Sequence, residues 1–437
     1  MNILIAILTS LSLILLGAHH LRFGEPGLTA AMLVLAALFL ARRAWVRIPV
    51  LFTLFWGAWT WADATYGFVR MRILMGADWE RLVVIMGAVM LVTLAAVLLN
   101  IAPAQAGWYR KGTENARARG AVFVLTCIGL GIASAKVSFP VLLLERFAPG
   151  WGWLEIILLA IYAQWVVNMM LDRTKQPKVR RRIWAGFSAV FFLQLLMGLL
   201  GVDRMLMTGE LHLPVPALIA AGPVFRGEGF FMPILFGVTL ILVGPAWCSH
   251  LCYIGAWDDS ASRMGARRPA NLGRRIVLLT RVASLVLVVA AAYAMRLTGV
   301  SWMTAVWSAA IFGMVGVIIM ATVSRRMGTM VHCTTFCPMG VVANVLGKIS
   351  PWRIRIGRDC TGCNVCFSRC RYSALDARAL QEGRPSLSCT LCGDCVGACR
   401  HGQLEYAFPG LTAEAARAAF LVMVVGLHAV FLGVARI

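Results

Sequence analysis

Apolar stretches of roughly twenty residues recur along most of the chain, and they constrain its fold more than any other feature. That is the length a helix needs to cross the hydrocarbon of a bilayer. No water is available there to satisfy backbone amides and carbonyls, so a crossing segment must pair its own, as an α-helix does. The stretches fall at about 2–19, 26–41, 48–66, 82–101, 120–144, 152–171, 184–201, 230–247, 276–295, 302–323 and 415–435. The expected fold is therefore an all-α polytopic membrane protein of about eleven spans. Composition agrees, with 60% hydrophobic and only 14% charged residues, far from a soluble domain. The first stretch lacks a basic leader and a small-residue cleavage site, so it is expected to stay as a helix.

The net charge of +22 raises the question of nucleic acid, but its placement points elsewhere. Basic clusters follow every second span: Arg42, Arg43 and Arg47; Arg110, Lys111, Arg117 and Arg119; Lys175, Lys178, Arg180, Arg181 and Arg182; Arg263, Arg267, Arg268, Arg274 and Arg275; Arg325 and Arg326. That alternation is the positive-inside pattern of a plasma-membrane protein. It puts these loops, the N-terminus and the segment after span ten in the cytoplasm, facing anionic lipid. A reducing compartment also suits thirteen cysteines kept as thiolates.

Eight of those cysteines stand between residues 360 and 399. Cys360, Cys363, Cys366 and Cys370 read C-x2-C-x2-C-x3-C, and Cys389, Cys392, Cys395 and Cys399 repeat the spacing. This is the ligand pattern of a bacterial ferredoxin with two [4Fe–4S] clusters, in which the fourth cysteine of each run serves the other cluster. The expected sets are Cys360, Cys363, Cys366 and Cys399 for one cluster, and Cys370, Cys389, Cys392 and Cys395 for the other. Paired zinc sites usually show two C-x2-C pairs with a longer gap. Three cysteines at steps of three favour a cubane instead. Arg371 and Arg400 stand where proline usually follows the fourth cysteine. A small α+β ferredoxin insert at 351–410 is thus expected, its core held by its clusters.

A second cysteine pattern lies at span edges. Cys248 and Cys252 sit in WCSHLCYIG, and Cys333 and Cys337 in HCTTFCPMG. Both are C-x3-C, then one residue, an apolar residue and glycine, which reads as an internal repeat on one side of the membrane. If helix persists, i and i+4 share a face, so two pairs can converge on one metal or cluster. A redox-active dithiol is the other reading of these four. Cys127, alone in a span, reads as a small core residue.

Two C-x3-C(P) motifs at membrane edges followed by a double [4Fe–4S] ferredoxin resemble the NapH/NosR-type membrane ferredoxins. The resemblance covers roughly residues 185–405 and rests on Cys248, Cys252, Cys333, Cys337, Pro338 and the eight ferredoxin cysteines. Tyr253 replaces proline in the first motif. The resemblance implies electron relay between the membrane quinone pool and a respiratory redox partner, with two [4Fe–4S] clusters and a bound quinone. The different reading is a redox-sensing or metal-handling assembly protein for a respiratory enzyme. Eight arginines in residues 353–400 would raise cluster potentials and dock an acidic protein. The domain plan is 1–183 for N-terminal membrane helices, 184–350 for the core with both C-x3-C motifs, 351–410 for the ferredoxin and 411–437 for a last helix.

Ionisable residues inside spans are functional candidates by default. Lys136, Asp63 and Glu155 fall toward outer span ends, where a pair among them would suit a quinone headgroup. Clusters on the cytoplasmic side favour an inner quinone site instead, with His250, Asp258 and Asp259 as candidates. Gln164 and Asn168 suit helix–helix hydrogen bonding. The broken segment 203–229, with Glu210 and His212, suits a re-entrant or docking loop. His19, His20 and His428 show no spacing that specifies haem. No phosphate-binding loop, dinucleotide fingerprint or nucleophile triad occurs.

Overall fold

The computed structural model describes residues 2–102, 108–206, 213–265 and 268–434. Glu210, His212 and Arg267 lie outside the described residues. The chain divides into two compact units, residues 1–168 and 169–437.

The first unit is a bundle of α1 (Asn2–Arg22), α2 (Pro26–Leu40), α3 (Arg47–Leu74), α4 (Glu80–Ile101), α5 (Ala116–Lys136), the short α6 (Leu143–Phe147) and most of α7 (Gly152–Met170). Helix α1 packs on α2 and α4, and α3 packs on α4 and α5. The shared core includes Leu13, Leu16, Leu35, Phe39 and Leu54. Isoleucine and leucine on the outer faces, such as Ile85 and Leu91, stay exposed, as lipid-facing residues do. Two polar contacts cross this unit: Asn100 Nδ2 donates to Thr9 Oγ1 at 2.9 Å, and Arg119 donates to Gln164 Oε1 at 3.0 and 2.9 Å. Among the described residues no ion pair joins Lys136 to Asp63 or Glu155. Glu155 instead accepts the Leu144 amide at 2.7 Å, capping α6.

The second unit carries both cysteine patterns. Its elements are α8 (Gln176–Leu199), α9 (Leu218–Arg226), α10 (Phe231–Val243), α11 (Tyr253–Met264), α12 (Arg274–Leu297), α13 (Trp302–Ile319), α14 (Arg325–Met327) and α15 (Met339–Leu346), then strand β1 (Arg353–Ile356), α16 (Ala377–Gln381), α17 (Asp394–Ala398), strand β2 (Leu404–Ala407) and α18 (Ala413–Gly433). Strands β1 and β2 pair antiparallel with Ile354 opposite Tyr406, closing the expected ferredoxin segment at its two ends. Local signals set the boundaries. Pro177 opens α8, Asp376 caps α16 through the Ala379 amide at 2.7 Å, and Thr412 caps α18.

Among the described residues nine helices are long and apolar enough to cross a membrane, as in a multi-pass membrane protein. The other two expected spans differ for separate reasons. Stretch 26–41 forms a helix of 15 residues, about 22 Å long at 1.5 Å per residue, shorter than a bilayer's hydrocarbon. Stretch 48–66 lies within the 28-residue α3. It is long enough, but its Trp, Thr and Asp63 content makes it less apolar than the nine.

The ferredoxin segment is fastened to the helices of its own unit by a buried ion network. Arg180 on α8, fully buried, donates to both oxygens of Asp394 at 3.0 and 2.9 Å and to the Ser249 carbonyl at 3.0 Å. Arg263 on α11 donates to Asp259 at 2.8 Å and to Asp394 at 2.8 Å. Arg417 on α18 donates to the Met170 and Leu171 carbonyls and to Gln176. Leaving one charge of such a pair buried alone costs about 3–5 kcal/mol. Arg180→Met is therefore expected to expose residues 360–399 to protease at lower denaturant concentration. Adding Asp394→Leu should recover part of that loss. Equal or worse sensitivity in the double variant would show that this pair is not the link.

Candidate metal centre

The two C-x3-C motifs fold alike, residue for residue. Each forms a single π-turn, Trp247–Leu251 and His332–Phe336. In each, the second cysteine's amide donates to the carbonyl of the residue before the first cysteine: Cys252 to Trp247 at 2.9 Å and Cys337 to His332 at 2.8 Å. In each, the next amides aim at the second cysteine's sulfur, from Ile254 and Gly255 to Cys252 and from Met339 and Gly340 to Cys337. The glycine sits at a tight approach in both. A Cβ on Gly255 would lie 3.0 Å from the Cys248 carbonyl and 2.5 Å from Trp184, and one on Gly340 would lie 3.0 Å from the Cys333 carbonyl and 3.1 Å from Arg281. A wide π-turn closed by glycine thus presents two thiols and folds amides back on one of them.

The two turns meet. Cys248 lies within electrostatic reach of Cys252 and Cys337, and Cys333 within reach of the other three. Cys248, Cys252 and Cys337 pack on one apolar cluster of Phe236, Trp247, Leu251, Met339 and Ala343. Arg281 on α12, only 3% exposed, is the cation at this site. It donates to the Cys333 carbonyl at 2.8 Å and to Asn344 Oδ1 at 2.7 Å, while its Nε has no hydrogen-bond partner. The Cys333 amide donates to Asp258 at 2.9 Å.

Residues 360–399 gather their cysteines in the two sets the spacing implies. Cys366 neighbours Cys360, Cys363 and Cys399, and Cys395 neighbours Cys370, Cys389 and Cys392. The second set is deeper, and Cys363 of the first is exposed. Backbone amides again face sulfur, with Ala374 donating to Cys370 at 3.3 Å and the Leu391 and Asp394 amides aimed at Cys389 and Cys392. Burial pushes the Cys389 thiol up to about 12 and, with Cys360 beside it, the Cys366 thiol up to about 11. Thiolates at such depth need a bound cation to offset their desolvation.

Among the described residues no three His, Cys, Asp or Glu side chains are arranged to hold a single metal ion. Thiolates around one zinc ion, each bonded at about 2.3 Å, would crowd together. Amides aimed at sulfur in the C-x3-C set and the deeper set, and the unpaired Arg281 nitrogen beside the C-x3-C cysteines, are features that suit a negatively charged iron–sulfur group.

The structure places the three proposed quinone residues apart in role. Asp259 belongs to the Arg180–Asp394 network, and Asp258 holds the Cys333 turn. His250, 1% exposed, lies 3.0 Å from Ser249 Oγ through Nδ1 and leaves Nε2 unpaired. The sequence marks Arg180 only as one of a basic run, and it does not mark Arg281, Asn344, Asp394 or Tyr372 as site residues. Arg281 carried a usable signal, an ionisable residue within a span. Arg371 is buried and donates to the Ser262 carbonyl at 3.2 Å, so it anchors the ferredoxin segment where a surface docking arginine was expected.

Helices apolar and long enough to cross a membrane, together with an iron–sulfur family match, fit a membrane ferredoxin. A family described as a 4Fe-4S binding domain matches residues 228–271 and 306–357. These two segments carry one C-x3-C turn each and end before Cys360. No curated protein and no solved structure shows significant similarity to the chain. The ligand sets predict a specific exchange of signals. Cys366→Ser and Cys399→Ser should perturb the same reduced-cluster resonance, and Cys370→Ser and Cys395→Ser the other. A resonance lost from both groups together would overturn the crossed assignment.

Proposed function

We propose that this protein is a membrane-bound iron–sulfur electron relay between the quinone pool and a respiratory redox partner. It would hold two [4Fe–4S] clusters in residues 360–399 and a further iron–sulfur centre on Cys248, Cys252, Cys333 and Cys337. The observation that carries the reading is the convergence of two matched C-x3-C turns on one half-buried four-thiol site beside the cysteines of residues 360–399. When bound, the clusters supply one-electron chemistry. The chain supplies thiolates, amides that stabilise negative charge on sulfur, and Arg281, which offsets that charge.

Following the basic-loop pattern, the protein is placed in the bacterial inner membrane with the ferredoxin segment cytoplasmic. The quinone is placed on the same side. A cavity of about 400 Å³ is lined by Val277, Leu278, Arg281, Asn344 and Cys389 among others. It joins an apolar wall on α12 to polar groups at both cysteine sites, which supports it over His250, Asp258 and Asp259, none of which lines it.

Two measurements test this. Anaerobically purified protein should contain about twelve iron atoms, four per cubane, and Cys248→Ser should lose about four. Quinol added to membranes should reduce the clusters, and Val277→Phe should slow that reduction with iron content unchanged. Clusters inert to quinol would favour the assembly or sensing role. Slowing by His250→Ala alone would return the quinone to His250.

A further inference from the structure

Residues from the C-x3-C site and from the deeper ferredoxin set share one small apolar cluster. Trp184, Ala256, Met330 and Tyr372 form its buried centre, and Cys333, Cys370 and Cys392 pack against it. Tyr372 lies two residues after Cys370 and is 3% exposed. Its hydroxyl donates to the Cys248 carbonyl at 2.9 Å, and Cys333, Cys392 and Cys248 all lie within its electrostatic reach. Trp184 Nε1 donates to the Cys252 carbonyl at 2.7 Å. Two polar contacts run beside it. Asn344, held by Arg281, donates to the Cys389 carbonyl at 3.2 Å, and Ser249 Oγ donates to the Thr390 carbonyl at 2.8 Å.

The shallower set differs. The charged neighbours of Cys366 are its own three partners, and Cys363 is exposed. We infer that the three centres form an ordered chain. A centre held by Cys248, Cys252, Cys333 and Cys337 would exchange electrons directly with one held by Cys370, Cys389, Cys392 and Cys395 across Tyr372, and one held by Cys360, Cys363, Cys366 and Cys399 would be the terminal that meets a soluble redox protein. The inference rests on the proposed iron–sulfur centre at the C-x3-C turns. In the step one electron leaves one centre and one enters the other, and no bond or proton changes. Tunnelling falls steeply with the gap between groups, and the buried cluster that holds the Tyr372 ring packs against Cys333 of one set and Cys370 and Cys392 of the other. Tyr372 is a positioning residue here, since its hydroxyl also ties the Cys248 turn to the ferredoxin loop.

The test uses the full-length protein in nanodiscs, poised so that the centres are partly reduced. Pulsed EPR should show the C-x3-C centre relaxing faster through the Cys370 set than through the Cys360 set. After a flash of photochemical reductant, equilibration between the C-x3-C centre and the Cys370 cluster should slow by about tenfold in Tyr372→Leu, equivalent to about 1.4 kcal/mol of barrier. Tyr372→Phe, which keeps the ring and the packing, should retain most of the rate. Iron content and midpoint potentials are checked in both. Unchanged equilibration in Tyr372→Leu with all centres present, or stronger coupling to the Cys360 set, would overturn the ordered chain alone. Loss of no iron and no resonance in Cys248→Ser would overturn the C-x3-C centre itself, and the chain with it.

Discussion

Arg180 and Asp394 are fully or nearly fully buried, and their bidentate contact decides where the ferredoxin segment sits in its unit. Asp394 lies between Cys392 and Cys395, so fixing its carboxylate fixes the helix that presents two ligands. The same guanidinium holds the carbonyl of Ser249, the residue after Cys248. One side chain therefore sets the register between the ferredoxin loop and the first C-x3-C turn. A buried ion pair contributes little net stability when desolvation is counted. It does penalise alternatives strongly, because any slipped arrangement leaves a charge unpaired. Asp259 and Arg263 extend the network and satisfy the remaining oxygens, which a buried pair requires.

Charge at the thiol sites follows the same logic. Four thiolates at a membrane edge are costly in low dielectric unless cations and aligned amides meet them. The C-x3-C site has Arg281 as its buried cation and paired amides at Cys252 and Cys337. The deeper ferredoxin set has amides from Ala374, Leu391 and Asp394, with Arg180 near Cys392. The shallower set has more solvent, which serves the same purpose. Buried, amide-rich sites and a wetter one give three different environments, and environment is what tunes cluster potential.

The matched turns also account for the residues around them. A π-turn is wider than an α-turn and leaves carbonyls to be satisfied from outside. Trp184, Ser284, Arg281 and Tyr372 supply donors to the carbonyls of Cys252, Phe336, Cys333 and Cys248. Glycine three residues after the second cysteine lets the chain fold back at van der Waals distance. Proline after Cys337 and tyrosine after Cys252 follow the same turn, so proline is not what shapes it.

Much of this was legible in the sequence because it is written in local spacing. Apolar length marks membrane helices, steps of three mark a cubane loop, and the C-x3-C repeat is visible by eye. Stretches 26–41 and 48–66 stand outside the nine because one is apolar but shorter and the other is long but less apolar. What only the tertiary structure decided is which polar residues are partners. Arg180 stands in a run of five basic residues that looks like a solvated cytoplasmic loop, yet its partner lies 214 positions away. Arg281 reaches Asn344 and the Cys333 carbonyl, and Tyr372 the Cys248 carbonyl, also across long stretches of sequence. Pairing across such distances depends on where the helices bring the chain, and local composition carries no record of it.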